Sequence, residues 1–285
     1  MHTAVISQPI SGDKLYQQRA RAALPLLVRQ AEAGNTIVYS DLADELGMSN
    51  ARNLNFVLGS IGRTMENLSK SSGKHVPPIQ CLVVNRATGF PGEGIGWFLE
   101  KPTDFVALPK GKQRAFVKAA LQQVYAYPFW YDILKHLNLQ PARAAVIPQS
   151  ENTTKGFGGG ESPAHKALKD YVALHPVIVG LHSDAGVGET EAPLLSGDSL
   201  DVSFSTPELW VAAEVKSRIS DVLDIQRGLF QCIKYKAVMQ AQALAEARYI
   251  DVRAVLVLEA AFPKSLLSLK NMLAIEVIEN VAPKG

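Results

Sequence analysis

The sequence predicts a multi-domain α/β protein, with an N-terminal helix-turn-helix unit and a C-terminal α/β sandwich. Three observations lead there. Helical periods dominate the first 140 residues, whereas short apolar, β-branched runs between helices fill the last 120. The stretch PQSENTTKGFGGG at 148–160 is polar, holds three consecutive glycines and follows neither period, as a linker does. It separates a domain at 1–147 from one at 161–285. Third, a net charge of +2 hides a split: residues 1–150 carry 16 basic and 10 acidic side chains, and the remainder 13 and 17. A basic half beside an acidic half suggests a polyanion-binding module joined to one that collects carboxylates.

Composition removes several alternatives. Of 285 residues, 47% are apolar and 20% charged, enough to bury a sizeable core and unlike a disordered chain. The start MHTAVISQPISGDK lacks the basic and apolar regions of a secretory signal. The longest apolar candidate, 254–262, is short and interrupted by Glu259, so no membrane span is expected. Cys81 and Cys232 lie far apart and outside any metal-ligand spacing. A soluble, cytoplasmic protein is the expectation.

In the first half, 14–33 has a helical apolar face, with Gly34-Asn35 as its stop. Ser40 can cap a helix from Asp41, whose first turns hold Asp41, Asp44 and Glu45. Gly47 ends that helix, Ser49 or Asn50 caps the next, and 51–65 continues as a helix. This is a helix-turn-helix pattern. The run 77–84 suits a strand, 85–89 a turn, and the glycine-rich PGEGIGW a second strand or wing. Together these elements read as a winged helix. Residues 101–139 look helical and amphipathic with a basic start, and the aromatics Tyr125, Tyr127, Phe129, Trp130 and Tyr131 read as packing.

The segments TIVYSDLA (36–43), Asn50-Ala51-Arg52 and PIQCLVV (78–84), with Gly89, Gly92 and Gly94, resemble the DNA-binding domain of the alkylguanine-DNA alkyltransferases and alkyltransferase-like proteins. The resemblance covers about residues 34–97. That family's nucleophile stands within Pro-Cys-His-Arg-Val-Val; Cys81 does not take that register with the following His and Arg. Leu82-Val83-Val84 gives it no base or cation to lower its pKa, so Cys81 reads as a buried strand residue. The resemblance therefore implies DNA binding without alkyl transfer. The helix at 51–65 is offered to the groove, with Arg52, Asn53, Asn55 and Arg63 as candidate contacts, and Lys70, Lys74 and Arg86 as phosphate contacts from loop and wing.

In the second half, Ser162 can cap a helix running to His175-Pro176, with Pro163 in its first turn. A short apolar strand is expected at 177–181, a turn-rich stretch next, then strands at 200–204 and 209–217. A long helix at 222–247, a buried strand at 252–258 and a final strand at 274–278 complete an α/β sandwich.

The most informative pattern lies within it. Asp201 opens one strand, and Glu214-Val215-Lys216 lies on the next. Glu214 and Lys216 are two apart and share a face, which Asp201 can join from its own strand. Two carboxylates and the Val215 carbonyl make a hard oxygen site suited to Mg²⁺. Lys216 can orient a water or stabilise developing negative charge. A surface ion pair fits poorly with the apolar setting VAAEV, because buried charges are costly.

Asp201, Glu214 and Lys216, preceded by Gly197-Asp198 and followed by Gln226-Arg227-Gly228, Gln231 and Tyr235, resemble the PD-(D/E)xK nuclease superfamily, the fold of many restriction endonucleases. The resemblance covers about 161–278. It implies an α/β/α sandwich with a mixed central sheet and a Mg²⁺- or Mn²⁺-dependent DNA endonuclease. Asp201, Glu214 and the Val215 carbonyl would hold the metal, while Lys216 and Gln231 assist. Asp198 competes with Asp201 as ligand, Glu161 is the nearest acid from the first helix, and Gln226 and Tyr235 would lie beside the carboxylates. One site cuts one strand, so double-strand cleavage would favour a homodimer. The other reading is an inactive DNA-binding or regulatory protein that uses the fold as a platform.

Overall fold

The computed structural model describes residues 6–98, 105, 107–142 and 162–283. The expected linker at 148–160 and Glu161 lie outside the described residues. The chain forms two compact units, Met1–Ala145 and Val146–Gly285, which together mix helix with a five-stranded sheet. No helix among the described residues is long and apolar enough to cross a membrane.

The first unit is mainly helical: α1 (Leu15–Glu32), β1 (Ile37–Val38), α2 (Tyr39–Glu45), α3 (Leu54–Ser72), β2 (Val83–Val84), α4 (Lys110–Ala126) and α5 (Trp130–His136). Leu24 and Leu27 of α1, Leu42 of α2, and Leu54, Ile61 and Met65 of α3 are buried in one core. A bidentate pair ties α1 to α2, with Arg29 Nη1 and Nη2 on Glu45 Oε1 and Oε2 at 2.6 and 2.9 Å. Helix α2 starts at Tyr39, ahead of the expected Asp41, and Ser40 does not cap it. Parallel pairing of β1 with β2 delivers the chain straight into the helix, and the Tyr39 hydroxyl accepts the Gly92 N–H at 3.1 Å.

Gly47 turns with φ of +64°, Asn50 caps a 3₁₀ turn at Ala51–Asn53, and α3 follows. Two helices joined by a turn therefore stand where expected, but α3 runs on to Ser72 rather than stopping at Met65. Hydroxyls of Ser69 and Ser72 bond back to the carbonyls of Met65 and Leu68, and Gly73, at φ of +66°, supplies the left-handed stop.

The expected hairpin is not formed among the described residues. Half of 77–84 is a 3₁₀ helix, Ile79–Leu82, and only Val83–Val84 is strand, parallel to β1. Pro77 and Pro78 have no N–H for a ladder. The glycine-rich segment becomes a 3₁₀ helix, Glu93–Phe98, instead of a wing, since it has no β-branched run to pair. Cys81 is fully buried as expected, but in that 3₁₀ helix, not a strand; burial pushes its thiol up to about 12. The long helix expected at 101–139 breaks at Pro128 into α4 and α5. Trp130 packs inward there, its indole N–H donating to the Val124 carbonyl at 2.9 Å.

The second unit comprises α6 (Pro163–Leu174), β3 (Glu189–Pro193), β4 (Ser199–Ser205), β5 (Leu209–Lys216), α7 (Val222–Ala245), β6 (Asp251–Leu258), α8 (Leu267–Leu273) and β7 (Glu276–Ile278). Sheet order is β3-β4-β5-β6-β7. The first three strands are antiparallel; β5, β6 and β7 are parallel. Ser162 caps α6 by accepting the His165 N–H. The strand expected at 177–181 is a 3₁₀ helix, Pro176–Val179, bounded by Pro176 and by Gly180 at φ of +74°. The first strand lies later, at ETEAP. Leu168 and Val172 of α6 pack on Val202, Phe204, Val211, Ala213 and Val215. Side chains alternate across a strand, so Glu214 and Lys216 face the opposite side, under α7.

Candidate active site

The site forms where β4 and β5 part. Their ladder pairs Val202 with Ala213 and Phe204 with Val211; one further step sets Asp201 opposite Glu214. There the main-chain ladder stops, and Asp201 Oδ2 accepts the Val215 N–H at 2.8 Å. A strand residue's N–H and C=O leave by the same edge, so the Val215 carbonyl also faces β4, on Asp201's side. His165 of α6 reaches the same carboxylate, its Nε2 3.6 Å from Asp201 Oδ1. Burial opposes the charge on Asp201, but His165 and the Val215 N–H outweigh it and hold the carboxyl below its usual range.

Glu214 is 1% exposed. Its Oε1 meets Lys216 Nζ at 2.9 Å, and its Oε2 is buried with no hydrogen-bond partner among the described residues. Burial, then the charge of Asp201, pushes this carboxyl up to about 7 despite Lys216. The Lys216 ammonium also lies 3.4 Å from Asp224 Oδ1. Burial works against its charge, but Glu214 and Asp224 more than offset that and raise its pKa.

Helix α7 roofs the site. A Cβ on Gly228 would lie 2.8 Å from Leu256 Cδ1, 3.1 Å from Lys216 Cε and 3.6 Å from Glu214 Cγ, so glycine permits the close approach. Further along, Gln231 Nε2 donates to the Tyr235 hydroxyl at 3.3 Å, which donates to the Ser199 carbonyl at 3.1 Å. This chain anchors α7 to β4 two residues before Asp201. Burial and the charges of Glu214 and Asp201 raise the Tyr235 pKa, keeping the phenol a donor. The side-chain amide oxygens of Gln226 and Gln231 are buried without hydrogen-bond partners among the described residues.

The structure thus brings together Asp201, Glu214, Val215 and Lys216, with Gln231 and Tyr235 tied to the same strand. Asp198 is drawn elsewhere: Lys234 and Ser196 hold its carboxylate, and their hydrogen bonds lower its pKa. His165 and Asp224 were not anticipated. His165 lies three residues before the buried Leu168 and seven before Val172, the spacing that turns it toward the sheet. Asp224 lies four residues before Gly228, the spacing that places both on one side of α7.

The donors suit a hard divalent cation. The unpartnered Glu214 Oε2, the Asp201 carboxylate and the Val215 carbonyl are all oxygens, and like charges at Asp201 and Glu214 favour a cation near both. Among the described residues no three His, Cys, Asp or Glu side chains are grouped to hold a metal, so coordination would lean on main chain and water.

In the first unit, Arg52, Asn53, Asn55 and Lys74 are exposed. Arg63 and Arg86 are engaged within the protein, Arg63 by Glu66 at 2.6 Å and Arg86 by Asp41 at 3.0 Å. Comparison with family models, curated proteins and solved structures finds no match to this chain.

Proposed function

We propose that the chain is a metal-dependent DNA endonuclease of the PD-(D/E)xK type, holding DNA through the helix-turn-helix of its first unit. The observation that carries this reading is the buried Asp201–Glu214–Lys216 group with one glutamate oxygen left without a hydrogen-bond partner among the described residues. A buried carboxyl with an orphaned oxygen costs stability, so the group calls for a role other than holding the fold together. Asp201, Glu214 and the Val215 carbonyl would hold Mg²⁺ or Mn²⁺, which supplies Lewis acidity toward a phosphodiester and acidifies a water.

The chain's own groups do the rest. The Val215 N–H and His165 fix the Asp201 carboxylate. Lys216, held between Glu214 and Asp224, presents a fixed positive charge where the phosphate gains negative charge. The Gln231–Tyr235–Ser199 chain fixes β4 against α7. Cleavage of both strands would call for a dimer.

The test is cleavage of plasmid and single-stranded DNA with Mg²⁺ or Mn²⁺ by the wild type, Asp201→Asn and Lys216→Ala. Metal-dependent nicking by the wild type alone is expected. No wild-type cleavage, or equal metal-independent nicking by all three, would overturn the reading and leave a DNA-binding or regulatory role.

A further inference from the structure

We propose that α4, rather than the helix-turn-helix alone, carries phosphate-backbone contacts to DNA through Lys110, Arg114 and Lys118. This rests on the DNA-binding reading above and adds a surface to it. Helix α4, KGKQRAFVKAALQQVYA, has no acidic residue and places four cations in its first nine positions. Lys110, Arg114 and Lys118 recur every four residues and so form one stripe, spaced about 6 Å apart along the axis. All three are exposed, and none has an ion pair among the described residues.

Two features make this placement unfavourable for the helix alone. Like charges four residues apart repel, and cations at an N-terminal end oppose the helix dipole. A chain of phosphates neutralises both. Of the arginines in the helix-turn-helix and the adjoining turn, Arg52 is exposed, whereas Arg63 is engaged by Glu66 and Arg86 by Asp41. The α4 stripe therefore adds three exposed cations without an ion pair among the described residues to the exposed Arg52 and Lys74.

One cation of the stripe is also tied to the turn that carries Arg86. The Arg114 guanidinium lies 5.6 Å from the centre of the Phe90 ring. Phe90 closes the turn that carries Arg86, its carbonyl accepting the Asn85 N–H at 2.8 Å. Charge, exposure and this contact make a nucleic-acid backbone the fitting occupant.

The experiment measures binding of the full chain to a short DNA duplex in EDTA across a salt series. The variants are Lys110→Ala/Arg114→Ala/Lys118→Ala and, because Arg114 stacks on Phe90, Lys110→Gln/Lys118→Gln. Each lost phosphate contact should lower the slope of log affinity against log salt by about 0.9. The triple variant should lose close to three such increments and the double variant two, with unchanged circular dichroism. Should the triple variant not fold, the double variant decides. A folded variant with the wild-type slope and affinity would overturn the assignment of α4 while leaving DNA binding intact. Absence of salt-dependent binding by the wild type would overturn both.

Discussion

Glu214 gives the site a pH signature. Its carboxyl is displaced from an ordinary 4.5 to about 7, by burial first and by Asp201 second. Between those values the folded chain keeps a proton that the unfolded chain releases, so this group's contribution to stability falls as pH rises from 4.5 to 7. Asp201 has the opposite sense: its lowered pKa contributes stability above its ordinary 3.8 that is lost on further acidification. Lys216, raised above 10.5, stays charged throughout the window. Glu214→Gln should therefore gain on the wild type as pH rises, by up to roughly 3 kcal/mol between pH 4.5 and 7. Denaturant unfolding at several pH values, without divalent cation, reads the difference; a gap that stays constant with pH would refute it. Asp201, Glu214 and Lys216 were legible in the sequence because strand alternation is local. His165 and Asp224 were not, because only the packing of α6 and α7 against the sheet brings them there.

At the scale of elements, the closeness of α7 to β5 is the controlling feature. Gly228→Ala would add a methyl 2.8 Å from the flexible end of Leu256 and 3.1 Å from Lys216 Cε. Alanine favours a helix over glycine by about 1 kcal/mol, which offsets part of the crowding. Stability should stay within about 1 kcal/mol of the wild type, whereas the displaced Lys216 should lower cleavage at least about tenfold. Wild-type cleavage together with wild-type stability would show that α7 does not set the lysine's position. The elements most legible in sequence were those with long periods or apolar runs, namely α1, β4, β5, α7 and β6. β3 escaped because ETEAP is a polar edge strand ending in proline. Residues 177–181 are apolar enough for a strand, but Pro176 and Gly180 turn the chain into a 3₁₀ helix. The wing failed for a related reason, as prolines and glycines left β2 only two residues long.

For the whole molecule, each unit has its own core, and every residue of the candidate site lies in the second. Grip and chemistry should then be separable. A fragment of residues 162–285 should retain metal-dependent nicking with kcat within about tenfold of the full chain and a raised KM, because remote contacts supply mainly substrate binding. Salt gives the sharper contrast. Residues 1–150 carry 16 basic and 10 acidic side chains, so affinity of the full chain for DNA should fall as salt rises. The rest of the chain carries 13 and 17, so the isolated second unit approaches DNA against like charge. Screening should leave its kcat/KM flat or raise it over the same salt range. Steady-state nicking by both proteins from low to physiological salt checks this. If the fragment loses activity with salt as steeply as the full chain, the phosphate contacts lie in the second unit, and the charge split would not mark a division of labour.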